Sequence, residues 1–152
     1  MRRAVDLLVV VVDTNVLLAS LMRGGIVRRI LLSNPAVWAV PDLCLEELWE
    51  HREVWNLARI PDGRLADTLA EFAAGYLTVY DERHYGPRLE EAANLIRDAD
   101  DAPVLALAFS IENEGIWTFN PRDYAPAVRK GRAELLTTTR VGSMYPPDPA
   151  VP

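Results

Sequence analysis

Apolar and polar positions along this chain fall into blocks with two different periods. The first block, Val9-Val10-Val11-Val12, is continuous and β-branched, and it ends at one carboxylate, Asp13. Such a run suits a strand buried on both faces, as in a parallel sheet covered by helices. Thr14 to about Met22 then reads as a helix broken at Arg23-Gly24-Gly25. From Ile26 to Ser33, Ile26, Val27, Ile30 and Leu31 recur at helical spacing, with Arg28 and Arg29 on the other face, and Asn34-Pro35 stops the helix. Val37 to Val40 is a short strand. Pro41-Asp42 opens a helix that the pattern carries to about Ala58, through Leu45, Leu48, Trp49, Val54 and Trp55. A further helix runs from Pro61 to Ala74 with Leu65, Leu69 and Phe72 inward, ended by Gly75. Leu77 to Tyr80 is a strand, Asp81 to Pro87 a loop, and Arg88 to Arg97 a helix. Asp98 to Asp101 is a polar turn before an alanine-rich helix from about Ala102 to Glu112. A strand over Gly115 to Phe119, a turn over Asn120 to Tyr124, a short helix near Ala127 and a last strand near Glu134 to Leu136 complete the pattern.

Strands alternating with helices across short loops predict a three-layer α/β/α sandwich with a mostly parallel central sheet. Residues 1–141 are expected to form one domain. From Gly142 the chain carries four of its eleven prolines in the last seven residues, so 142–152 is expected to be disordered or to lie along a surface.

A length of 152 residues allows one domain with a substantial core and is short for two. Half of the residues are hydrophobic and a quarter charged, an ordinary composition for a soluble globular protein. The longest apolar run, Leu7 to Val12, cannot span a bilayer. It lacks a small-residue cleavage site, so a cytoplasmic protein without membrane association is expected. The single cysteine, Cys44, excludes an internal disulfide and a cysteine-rich metal site. A buried apolar thiol is its expected state, since neither His51 nor His84 is an obvious catalytic partner. The net charge of −6 argues against nonspecific nucleic-acid binding over the whole surface, which depends on neutralising phosphates. It leaves room for carboxylates gathered in one pocket around divalent cations.

Four acidic clusters stand where the pattern ends a strand or begins a helix: Asp13, Glu46-Glu47, Asp98 with Asp100-Asp101, and Asp123. Asp13 falls at the carboxyl end of a central strand, where open α/β sheets place their ligands, though an Asp there also caps helices. Glu46 and Glu47 are adjacent, so one of them faces solvent. Asp98 lies one turn before Asp101 and either joins the site or caps the helix. Asp123 reads equally as a turn aspartate. Convergent carboxylates suit Mg²⁺ or Mn²⁺, which lower the pKa of a bound water and stabilise charge developing on a phosphate.

The order of these motifs resembles the PIN-domain family of metal-dependent ribonucleases, to which VapC-type toxins belong. The resemblance rests on Asp13-Thr14-Asn15-Val16-Leu17, on Glu47-Leu48 after Pro41, on Asp98-Ala99-Asp100-Asp101 followed by a small apolar run, and on Thr118-Phe119-Asn120-Pro121-Arg122-Asp123-Tyr124. It implies Asp13, Glu47 and Asp101 as ligands of Mg²⁺ or Mn²⁺ and Asp123 as a fourth catalytic acid. Glu47 is preferred to Glu46 because Leu48 follows it, and Asp100 is assigned to the surface. Thr14, Asn15, Thr118 and Asn120 would hold the carboxylates and the water by hydrogen bonds, with Asp98 supporting. Asn120 departs from the aspartate of many relatives and leaves less charge for a second ion. Arg23, Arg28 and Arg29 are the candidate RNA phosphate contacts. A small antitoxin protein and a second copy of the chain, as a homodimer, are the partners the resemblance implies.

Trp38 and Trp117 lie in apolar strands and are expected in the core rather than stacked on bases. Two other functions compete with an endoribonuclease. One is a catalytically silent member of the same fold that binds RNA or protein. The other is a phosphatase of the haloacid dehalogenase type, with Asp13 as nucleophile; that chemistry wants a second Asp two residues later, where this chain has Asn15.

Overall fold

A computed structural model describes residues 8–21, 25–33, 36–53 and 61–151. Strand β1 (Val9–Val12) sits in the middle of a five-stranded sheet. Its partners are β2 (Val37–Pro41) on one side and β4 (Ile116–Trp117) on the other; β3 (Leu77–Tyr80) and β5 (Leu135–Leu136) form the edges. The order is β3-β2-β1-β4-β5, and every pairing is parallel. Successive strand residues point to opposite faces. Val10, Val11 and Val12 are nevertheless all fully buried, which requires cover on both faces of the sheet.

Helices supply that cover. α7 (Ala102–Ser110) packs on β1, β2 and β4 and gathers α5 (Glu82–Tyr85) and α6 (Leu89–Ala93) around it. It is apolar nearly all round, and Val104, Leu105, Ala106 and Leu107 are all buried. α1 (Thr14–Leu21) packs on α2 (Ile26–Ser33) and on α3 (Asp42–Glu50), while α2 also meets α9 (Thr138–Met144). α4 (Asp62–Gly75) leads into β3, and α8 (Ala125–Arg129) follows the turn after β4. The result is the expected three-layer α/β/α sandwich. Trp38 and Trp117 lie at its centre, their ring centroids 5.7 Å apart.

Several element boundaries differ from the sequence pattern. α3 ends at Glu50 rather than near Ala58, where Arg52 turns back and donates to the Trp49 carbonyl at 2.8 Å. Its guanidinium also lies over the Trp49 ring and pairs with Asp62, so the last helical carbonyls are satisfied locally. Val54 and Trp55 fall outside the described residues. The expected loop after β3 is instead α5, started by Asp81, whose side chain accepts the Arg83 N–H. The helix expected over 88–97 shortens to α6, and Leu95 and Ile96 are buried in the irregular segment beyond it.

Order also continues past the position where the composition predicts a tail. α9 runs through Gly142, and its Thr138 hydroxyl accepts the Trp117 indole N–H at 3.1 Å. Tyr145 is buried edge-on against Trp38, and the Asp148 N–H reaches Ser33 Oγ at 2.7 Å. The aromatic anchor at Tyr145 outweighs the prolines that come after it in the chain.

Candidate functional site

The strand order reverses direction at β1, which opens a crevice at the carboxyl ends of β1 and β4. Asp13 stands at that point. Its N–H donates to the Trp117 carbonyl across the sheet, and its own carbonyl accepts the Val16 and Leu17 N–H groups that start α1. The side chain is 1% exposed. Oδ1 accepts the Thr14 backbone N–H at 2.7 Å, and Oδ2 accepts the Thr118 hydroxyl, also at 2.7 Å. An ordinary helix cap bonds the second or third N–H of the helix. Asp13 instead joins the first N–H to the end of a strand far along the chain. Burial pushes its carboxyl above the usual range, the Thr118 and Thr14 bonds partly offset this, and the charge of Asp123 adds to it.

The other acids approach from three directions. On α3, Glu47 is half-buried and Glu46 is exposed, as the sequence expectation has it. Burial raises the Glu47 carboxyl, as do the charges of Asp100, Asp13 and Asp98, while His51 opposes them. Asp101 lies in the 3₁₀ turn Ala99–Asp101 that leads into α7. Burial first, and then the charges of Asp13, Asp123 and Asp98, push its carboxyl up to about 8. Asp98 does cap this turn, accepting the Asp100 N–H at 3.0 Å, and its charge still reaches both Glu47 and Asp101. Asp123 lies in the 3₁₀ turn Pro121–Tyr124, pinned through its carbonyl to the Arg97 N–H at 2.9 Å.

The polar residues around these acids are arranged differently from expectation. The Thr118 hydroxyl donates to Asp13 and accepts the Asn120 backbone N–H at 3.0 Å, so Asn120 acts through its backbone and one step removed. Thr14 supports Asp13 only by its backbone; its hydroxyl donates to Cys44 Sγ at 3.0 Å. The Asn15 side chain makes no hydrogen bond among the described residues. Cys44 is buried, as expected. Desolvation and the charges of Asp13, Glu47 and Asp101 push its thiol up, partly offset by Thr14.

Arg28 and Arg29 lie half-buried on α2, a helix that packs on α1 and α9, and nothing brings them to the carboxylates. Arg23 falls outside the described residues. The cations beside the acids are Arg97 and Arg122, which border a groove of about 660 Å³ with Asp98, Phe119, Asn120 and Asp123. Sequence reasoning passed over both arginines because each adjoins an acid it had already weighed. It passed over Tyr124 as well. That hydroxyl is buried and makes no hydrogen bond of acceptable geometry among the described residues, although it is near enough to Asp13 to favour the ionised carboxylate. An aromatic directly after the last acid was the available signal.

Among the described residues, no three Asp, Glu, Cys or His side chains close into a ready-made ion cage. The donor chemistry still fits a hard divalent cation: oxygen donors with raised pKa values around an unpartnered buried hydroxyl. Like-charged carboxylates hold apart until a cation offsets them.

Comparison with known proteins bears on the family and the fold. The family model for the PIN domain matches residues 11–122. Among solved structures, the chain resembles VapBC2 from Rickettsia felis, crystallised bound to a DNA fragment from their promoter. The likeness has a TM-score of 0.57 at 20% identity, over 86% of this chain and 98% of that one. No curated protein sequence matches the chain. A family match running from within β1 to the turn that carries Asp123 makes this chain a member of the PIN-domain family.

Proposed function

We propose that this chain is a metal-dependent endoribonuclease that hydrolyses RNA phosphodiester bonds. One observation carries the reading: at the sheet's switch point Asp13 after β1, Glu47 on α3 and Asp101 in the turn before α7 are all pushed above the usual carboxylate range, by burial first and then by the charge of neighbouring acids. Gathering four carboxylates costs stability, and a bound cation removes that cost. In this reading Asp13, Glu47 and Asp101 hold Mg²⁺ or Mn²⁺, and Asp123 orients water or a second ion. The metal, when bound, supplies an acidified water and a charge to stabilise the phosphate.

The chain's own residues prepare the site for this. Thr118 and the Thr14 N–H fix both oxygens of Asp13, so its remaining lone pairs have one orientation. Burial of Asp13 excludes competing water. The buried Tyr124 hydroxyl lies near Asp13 and favours its ionised form.

Membership of the PIN family and likeness to the VapBC2 fold support a toxin of a toxin–antitoxin pair. In that setting a small antitoxin protein would block the acidic groove, and the toxin would be a cytoplasmic homodimer. No helix among the described residues is long and apolar enough to cross a membrane. A catalytically silent RNA- or protein-binding module is the second reading, favoured by Asn120 and by the open arrangement of the acids.

Cleavage of mixed single-stranded RNA with Mg²⁺, Mn²⁺ or EDTA, by wild type and Asp13→Asn, separates the two. Metal-dependent cutting lost in the variant is the expected result. Cutting that survives in EDTA or in Asp13→Asn would overturn the metal mechanism. Mn²⁺ binding with no cutting of any RNA favours the silent module.

A further inference from the structure

The groove beside the acids has a wall that hydrolysis does not use. Phe119 is 43% exposed there, in the same lining as Arg97 and Arg122, which are both exposed. Its ring has no aromatic or cationic neighbour among the described residues, and neither arginine forms an ion pair among them. A single exposed ring is ordinary. An exposed ring that shares one groove with two guanidinium groups making no ion pair among the described residues, beside a cluster of acids, is a different feature.

Its backbone is also held. Thr118 is bonded to Asp13 and to the Asn120 N–H, the Asn120 carbonyl accepts the Asp123 N–H, and the Asp123 carbonyl accepts the Arg97 N–H. Phe119 therefore stands on a segment tied at both ends, and Arg97 is tied to the same segment. A binding surface fixed before the ligand arrives loses little entropy on binding.

We propose that this wall seats single-stranded RNA, with one unpaired base stacked on Phe119 and the flanking phosphates on Arg97 and Arg122. A base inside a duplex cannot present its face to the ring, so the site selects single strands. Guanidinium groups suit phosphate oxygens bidentately. The chain's net charge of −6 makes two unpaired cations beside the acids informative about where a polyanion approaches. The groove's lining is mostly polar, which disfavours an apolar protein segment as its occupant. This inference rests on the nuclease reading and names the residues that would seat its substrate beside the acids.

The test is binding of short fluorescent oligoadenylate, oligouridylate and a blunt RNA duplex in EDTA, with cleavage in Mn²⁺ measured separately. Phe119→Ala should weaken oligoadenylate binding roughly 5- to 150-fold. Phe119→Trp should keep the affinity, and its indole fluorescence should fall as a base stacks. Arg97→Gln and Arg122→Gln should each reduce the slope of log affinity against log salt by about 0.7. Wild-type RNA affinity in Phe119→Ala, or duplex bound as tightly as single strand, would overturn the proposal. A protein partner that needs Phe119 when RNA does not would overturn it too. RNA binding that depends on Phe119, in a chain that cuts nothing, would sink the nuclease reading and keep the seat. Cutting with binding indifferent to Phe119 would do the reverse.

Discussion

The Asp13 carboxyl is 1% exposed, so its two hydrogen bonds replace the water that would otherwise solvate it. Thr118→Val removes one donor from a buried acid and should cost about 1–3 kcal/mol in urea unfolding at pH 8. The loss should shrink as pH falls and the carboxyl, raised by burial, takes up its proton. A cost that stays constant over the whole acid range in which the chain is folded would show that Thr118 matters by packing alone. Asp101 makes a second pH prediction. Its folded pKa of about 8 lies above the ordinary 3.8, so between these values the folded chain binds more protons than the unfolded one. Stability in EDTA should therefore be greatest at the acidic end of that window and fall as pH rises toward 8. Asp101→Asn should flatten the fall, as read by melting temperature across the window. That one of Glu46 and Glu47 faces solvent was legible in sequence, because adjacent residues on a helix cannot both face inward, and Leu48 after Glu47 pointed to Glu46 as the exposed one. The role of Arg28 and Arg29 was not, because an amphipathic stripe says which face is polar and nothing about what that face meets.

Among the elements, the short pair β4 and β5 is held by a close approach. Gly115 has φ of +146°, and a Cβ there would lie 3.0 Å from both the Glu134 carbonyl oxygen and Leu136 Cγ. Gly115→Ala forces a conformation that side chains rarely adopt and pushes β5 away, for a loss of about 1–3 kcal/mol. Chemical unfolding checks this, and a neutral substitution would contradict the tight contact. β1 was legible from its unbroken valines, and so were β2 and β3 from short apolar runs between turn residues. α5 was not, because one helical turn has no period to read; its signals were the Asp81 cap and the burial of Tyr85 against Asp42. α9 was hidden by the prolines beyond it. The forces that order it are tertiary: the Thr137 cap, the Thr138–Trp117 bond and Tyr145 against Trp38.

For the molecule as a whole, the acids reconcile composition with the proposed function. A net charge of −6 opposes an RNA ligand, yet part of it sits in one crevice where a cation can cancel it. Binding that favours the folded chain should raise its stability by about 2.7 kcal/mol at 100 times the dissociation constant. Mn²⁺ should thus raise the melting temperature of wild type and leave that of Asp13→Asn nearly unchanged; equal shifts would place the ion elsewhere. The hydroxyl of Thr14 has one more consequence, because it points at the chain's one thiol. Thiols alkylate as thiolates, and Cys44 is 3% exposed among acids that suppress its ionisation. Its rate of reaction with iodoacetamide is therefore a clock for how often the back of the carboxylate crevice opens, one that needs no substrate and slows when a cation draws the acids together.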